Sequence, residues 1–127
     1  METTPHGTHI LLVEDDPDGR KSVAEALELA GWTVTVVPDG RTAVARLREE
    51  NYQVILTDLV LPDMNGLEVL EAARQLQPHV PVVIMTAYGS VETAIRALKS
   101  GAYDYLVKPL DLDELQSRIE RAIETYA

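Results

Sequence analysis

Apolar residues fall into five short runs, separated by longer segments in which they recur every third or fourth position. The runs are His9–Glu14, Trp32–Val37, Gln53–Asp58, Val80–Thr86 and Tyr103–Val107. Four are almost continuously apolar, the pattern of strands covered on both faces. Trp32-Thr-Val-Thr-Val-Val37 alternates instead and predicts an edge strand. The segments between carry helical spacing. Val23, Ala24 and Leu27 mark the first helix, Ala43, Val44 and Leu47 the second, and Val69, Leu70, Ala73 and Leu76 the third. Val91, Ala94 and Leu98 mark the fourth, and Leu112, Leu115, Ile119, Ala122, Ile123 and Tyr126 the fifth. Gly31 and Gly101 are placed to end helices in a left-handed conformation. Ser90 is placed to cap the fourth helix, and Asp111 with Glu114 to form a capping box on the fifth. Five strand–helix units in succession predict an α/β fold with a parallel sheet and right-handed crossovers.

Composition narrows what such a fold does. The 127 residues suffice for one domain with a substantial core. Phe is absent and there is one Trp, so the core rests on Leu, Val, Ile and Ala. No apolar stretch approaches the roughly 18 residues of a membrane span. Met1–His9 is polar and does not read as a signal peptide. There is no cysteine, which excludes disulfides and thiolate metal sites and fits a cytoplasmic protein. The net charge of −10 repels phosphate backbones, so direct nucleic-acid binding by this chain is not expected.

The chemistry lies at the ends of the strands, where an open parallel sheet forms its ligand crevice. The first strand runs into Glu14-Asp15-Asp16, the third ends in Asp58, the fourth in Thr86, and the fifth leads into Lys108-Pro109. Three consecutive acids can simply be a solvated loop capping the next helix. A strand order of 2-1-3-4-5, however, sets the first and third strands side by side, so Asp58 would face the acidic triplet. Carboxylates held that close raise one another's pKa unless a cation lies between them. A few carboxylates, with no His or Cys nearby, form the all-oxygen donor set that suits Mg²⁺. Lys108 reads as an ordinary surface lysine on its own. The following Pro109 favours an extended Lys108 or follows a cis bond, and either aims the ammonium across the strand ends. The Thr86 hydroxyl is placed to donate to a phosphoryl oxygen.

Taken together, Glu14-Asp15, Asp58, Pro62, Gly66, Thr86-Ala87, Tyr105 and Lys108-Pro109 resemble the receiver domain of two-component response regulators. The likeness runs in order from about residue 8 to 125. It implies a single domain over 1–127, a flavodoxin-like doubly wound three-layer (βα)5 sandwich of order 2-1-3-4-5, and a chain that is the N-terminal part of a longer regulator. It implies Asp58 as phosphoacceptor, Mg²⁺ held by Glu14, Asp15, Asp58 and the main-chain carbonyl of Val60, and phosphoryl oxygens held by Thr86, Ala87 and Lys108. It implies Tyr105 as a switch residue and a sensor histidine kinase as donor. Receivers are signalling modules that catalyse their own modification and are not turnover enzymes. The stretch from Met85 to Leu110 is similar to receivers of NtrC-type activators. There a receiver precedes an AAA+ ATPase and a DNA-binding domain, and this chain holds neither a phosphate-cradling G-x-x-x-x-G-K-[ST] loop nor a basic recognition helix.

Glu14 departs from the Asp found at its position in many receivers, which points to shifted or water-mediated contact with the metal. A small Mg²⁺-dependent phosphatase would carry a second Asp two residues after the nucleophile, where this chain has Val60. A flavin binder would not place three acids where a phosphate must sit. A receiver relic serving only dimerisation would not need Asp58, Thr86 and Lys108. Finally, the apolar period of the fifth helix continues through Ile123 and Tyr126, past the expected end of the sheet. That predicts a homodimer using the fourth-helix and fifth-helix face.

Overall fold

The computed structural model describes residues 8–126, so the reading of Met1–Gly7 lies outside the described residues. Ten elements alternate: β1 (His9–Val13), α1 (Pro17–Leu29), β2 (Thr33–Val37), α2 (Gly40–Glu49), β3 (Val54–Asp58), α3 (Gly66–Leu76), β4 (Val82–Thr86), α4 (Val91–Lys99), β5 (Asp104–Val107) and α5 (Leu112–Tyr126). The strands form one parallel sheet in the order β2-β1-β3-β4-β5. This is the expected doubly wound arrangement, with β1 beside β3.

Alternation along each strand sorts the core into two layers. Ile10, Leu12, Val54, Leu56, Val83, Met85 and Leu106 pack with Val23 and Leu27 of α1 and with Leu115, Ile119 and Ala122 of α5. Leu11, Val13, Ile55, Val82 and Ile84 face the other way, onto Ala43 and Leu47 of α2, Val69, Leu70 and Ala73 of α3, and Ala97 of α4. Both faces of β1, β3 and β4 are therefore buried, which is why those runs are continuously apolar.

Three expectations need correction. β5 is the outer strand that the order 2-1-3-4-5 requires, but it is not covered on both faces as its run suggests: Val107 is 53% exposed, and Tyr103–Tyr105 are half-buried. Its run reads as buried because Leu106, the half-buried Tyr103 and Tyr105 rings and the open Val107 all look apolar or aromatic in sequence. Helix α4 does not bury the stripe assigned to it. Val91 and Leu98 lie in solvent and Ala97 is its buried residue, because apolar residues occur on more than one side of this helix. The capping box on α5 is half formed. Asp111 accepts hydrogen bonds from the amides of Asp113 and Glu114, but Glu114 turns away to pair with Arg118.

The other punctuation matches expectation. Ser90 caps α4 in a full capping box with Thr93. Gly31 and Gly101 have φ of 94° and 106°. At Gly101 the Arg74 guanidinium also lies where a Cβ would stand. Gly101→Ala should thus cost stability by about 1–2 kcal/mol from the backbone alone, and chemical denaturation that shows no loss would contradict it.

Candidate functional site

The carboxyl ends of β1, β3, β4 and β5 meet at one point. β1 delivers Glu14, whose side chain is fully buried, and the exposed Asp15. β3 delivers Asp58, only 6% exposed. Among the described residues these three place carboxylate oxygens within 4.8 Å of one another. Lys108 reaches in from the end of β5. Its ammonium donates to Asp58 Oδ2 at 2.8 Å and to Glu14 Oε1 at 2.5 Å. The Lys108–Pro109 peptide bond is cis, the second of the two forms the sequence allows. The register Asp58↔Met85 and Thr86↔Val107 sets Thr86 one strand over from Asp58, fully buried, with its Oγ1 accepting the Tyr88 amide at 3.0 Å.

Local structure holds these groups in place. Asp16 is the N-cap of α1 and takes the Gly19 amide, so the acidic loop turns directly into the helix. Gly66 opens α3 pressed against the main chain after Asp58, and a Cβ there would lie 2.4 Å from the Asp58 carbonyl oxygen. Its amide donates to the Leu59 carbonyl at 2.7 Å, which folds the loop back beneath the site. Asp58 Oδ1 takes the Val60 amide at 3.3 Å. The Val60 side chain lies 52% exposed at the rim, and Ala87 is exposed in the loop after β4.

Electrostatics follow from burial. Desolvation pushes the Glu14 carboxyl above its usual range, opposed by the Lys108 hydrogen bond and reinforced by the Asp58 charge. Burial pulls the Lys108 ammonium down, but its hydrogen bonds to Asp58 and Glu14 outweigh that and hold it above the usual lysine value. One ammonium against three carboxylates leaves a local excess of about two negative charges. All the donors are oxygens, and one of them is occluded. This set fits a hard divalent cation.

Residues 10–120 match the response regulator receiver domain family. The chain belongs to that family. Transcriptional regulatory protein ZraR of Escherichia coli (strain K12) is 43% identical over 120 residues, 93% of this chain and 27% of the relative. DNA-binding transcriptional regulator NtrC of Salmonella typhimurium is 39% identical over 117 residues, 92% of this chain and 25% of the relative. The chain spans about a quarter of the length of these curated relatives. Among solved structures, a CheY-like receiver domain protein from Methanospirillum hungatei superposes with a TM-score of 0.89 at 31% identity, covering 94% of this chain and 95% of that one. The beryllofluoride-activated NtrC4 receiver domain dimer superposes with a TM-score of 0.89 at 30% identity, covering 94% and 98%. Receiver domains are signalling domains rather than turnover enzymes, so the site is that of a signalling module with transcriptional regulators as homologues.

Two contributors to this receiver's site escape a reading of the sequence. Arg20 Nη1 donates to the carbonyls of Glu14 and Asp15, both at 3.3 Å, and braces the acidic loop without occupying a carboxylate. A cation in the first turn of a helix, where the dipole disfavours it, is the available signal. Asp63 accepts the amides of Gly40 and Arg41 at 2.9 and 2.8 Å, which holds its carboxyl below the usual range and ties the loop after β3 to α2. That contact spans more than twenty residues and leaves no local pattern.

The expected switch residue Tyr105 is half-buried on β5, and its hydroxyl meets Thr93 Oγ1 on α4 at 2.5 Å. At the end of α5, Ile123 packs against the core and the Tyr126 ring meets Tyr103 edge-on at 5.8 Å. The apolar period there is thus partly occupied within the chain, with Tyr126 still 50% exposed. Exposed apolar residues cluster on α4 and at the end of β5, at Val91, Ile95, Leu98 and Val107, while others such as Leu29 and Tyr88 lie elsewhere on the surface. No helix among the described residues is long and apolar enough to cross a membrane.

Proposed function

We propose that this receiver accepts a phosphoryl group on Asp58 from a phosphohistidine of a sensor histidine kinase. Mg²⁺ would be held by Glu14, Asp15, Asp58 and the main-chain carbonyl of Val60. The modification then alters the α4–β5–α5 face and controls an output domain elsewhere in a longer cytoplasmic protein. The observation that carries this reading is the convergence of three carboxylates and the Lys108 ammonium at the carboxyl end of the sheet. The transcriptional regulators among the relatives favour an AAA+ ATPase and a DNA-binding domain as the output.

In the transfer, an Asp58 oxygen forms the new O–P bond as the P–N bond to imidazole breaks, and the electron pair leaves with the ring nitrogen. Such a step needs alignment and charge neutralisation more than covalent help. When bound, Mg²⁺ offsets the charge of the carboxylates and of the phosphoryl oxygens. Lys108 already donates to Asp58 and stays within reach of the oxygens that arrive there. Thr86 uses its oxygen to accept the Tyr88 amide and keeps its own O–H to donate, with Ala87 lining the same edge. A phosphatase reading fares worse, because Val60 offers no proton to a leaving group.

The test is intact-protein mass after incubation with Mg²⁺ and a small phosphodonor such as acetyl phosphate. The expected gain is one phosphoryl group, removed by hydroxylamine as an acyl phosphate should be and absent without Mg²⁺. No gain under any of these conditions would sink the reading.

Two consequences can be measured. The aspartyl phosphate should be long-lived, because the side chains two positions beyond Asp58 and Thr86 are Val60 and Tyr88. Both lie at the rim and neither carries a carboxylate or amide to orient water. Val60→Asn with Tyr88→Glu should shorten the half-life several-fold in excess Mg²⁺, and an equal or longer half-life would refute the shielding. The chain should also form a weak homodimer through Val91, Ile95 and Leu98 of α4 and the adjoining β5 and α5 surface. Sedimentation should show Ile95→Glu dissociating it, and a monomer at high concentration with and without beryllofluoride would exclude that contact.

A further inference from the structure

The Thr93 hydroxyl stands where two structures meet. It lies 3.2 Å from the Ser90 amide, 3.2 Å from the Ser90 carbonyl oxygen, 3.0 Å from Ser90 Oγ and 2.5 Å from the Tyr105 hydroxyl. A hydroxyl has one proton and two lone pairs, so four partners cannot all be served. One assignment uses the geometry fully. Thr93 donates to the Ser90 carbonyl, accepts the Ser90 amide, and accepts the Tyr105 phenol. Ser90 Oγ then accepts the Thr93 amide at 3.1 Å and is left beside Thr93 Oγ1 without donating to it. If the phenol departs, the Ser90 hydroxyl can rotate its proton into the vacated position. The Tyr105 contact therefore has a substitute waiting within the cap of α4.

The helix so held is weakly anchored. Ala97 is the buried residue of α4, while Val91, Ile95 and Leu98 lie in solvent. An element with little buried apolar surface shifts at low cost. Its first turn is fixed to the sheet by the Tyr105 phenol, whose ring rests against the core layer that includes Ala97. The loop leading into it begins at Tyr88, whose amide is bonded to Thr86.

We propose that Thr93 is the positioning residue that couples Tyr105 to the cap of α4, holding the ring against the first turn of the helix in the unmodified protein and releasing it on switching. The hydroxyl exchanges one partner, the phenol, for another, the Ser90 hydroxyl, and keeps its lone pair satisfied in both states. In its use as a switch, this coupling rests on the phosphoryl-acceptor reading of Asp58. As a contact it does not.

The experiment has two arms. The first uses unmodified protein in a double-mutant cycle of Thr93→Val and Tyr105→Phe, read by denaturant unfolding and by hydrogen exchange of the α4 amides. Tyr105→Phe removes only the ring hydroxyl and should speed exchange in the first turn of α4. The two changes should be non-additive by about fivefold in the folding equilibrium constant. Additive effects, or exchange in α4 that ignores Tyr105→Phe, would overturn the proposal. Thr93→Ser, which keeps the hydroxyl, should restore parent behaviour. The second arm titrates beryllofluoride with Mg²⁺. Freeing the ring should tighten binding about fivefold in Thr93→Val, and unchanged or weaker binding would overturn the switching role. Failure of the parent to bind beryllofluoride would instead sink the phosphoacceptor reading and the switching role with it, while the first arm still decides the coupling.

Discussion

Asp58→Asn should fold like the parent and take up no phosphoryl group from any donor. Asp58 is nearly buried, with Oδ2 accepting from Lys108 at 2.8 Å and Oδ1 from the Val60 amide at 3.3 Å. Asparagine has the same outline and keeps one acceptor oxygen, so the packing beneath Gly66 is preserved. One hydrogen bond is lost, which costs of order 1 kcal/mol. Against that, one of three mutually repelling carboxylates is removed. The two effects oppose each other, and the unfolding midpoint should stay close to that of the parent. The chemistry has no such compensation, because an amide nitrogen with its lone pair in resonance does not attack phosphorus. Intact mass after treatment with Mg²⁺ and acetyl phosphate is the measurement. Labelling of the asparagine variant at the parent's stoichiometry would place the acceptor elsewhere.

The parts of this fold that were legible in the sequence are those that depend on neighbours along the chain. Continuous apolar runs identified β1, β3 and β4, because strands covered on both faces must be apolar throughout. The alternation at Trp32–Val37 identified an edge, and β2 is one. The strand-end acids and Lys108 were legible for a topological reason. A parallel sheet gathers the residues that follow its strands, so residues far apart in number had to meet. What stayed hidden depends on partners chosen in three dimensions. The run of β5 looked covered on both faces because Tyr103, Tyr105, Leu106 and Val107 are all apolar or aromatic, yet Val107 lies 53% exposed and both tyrosines are half-buried. The face of α4 could not be chosen by period alone, since Val91, Ile95 and Leu98 compete with the smaller Ala97 that the sheet accepts. The Arg20 brace, the Asp63 tether and the Thr93–Tyr105 contact are hydrogen bonds whose partners no local spacing indicates.

Lys108→Met should destabilise the metal-free protein more than removal of any other single charge in the site, and in a manner that reveals its cause. Methionine fills the space of the lysine stem, so what is lost is the ammonium between Glu14 and Asp58. Breaking a buried pair costs about 3–5 kcal/mol, because the remaining charge is left without a partner. The Lys108 side chain is 24% exposed, so water recovers part of this, and about 2–3 kcal/mol is expected at neutral pH. The pH dependence gives the sign. Burial already holds Glu14 above its ordinary value in the folded state, and losing Lys108 removes the largest opposing contact. A carboxyl whose folded pKa is raised binds its proton more tightly when folded. Its cost is therefore absent below the ordinary glutamate value, grows as pH rises toward the raised value, and is constant above it. The gap between Lys108→Met and the parent should be widest at neutral pH and close on acidification. Excess Mg²⁺ should narrow the gap at neutral pH by supplying the missing positive charge. Denaturant unfolding across this range, with and without Mg²⁺, checks both trends. A deficit that changes with neither pH nor Mg²⁺ would assign the effect to packing of the stem and overturn the electrostatic account.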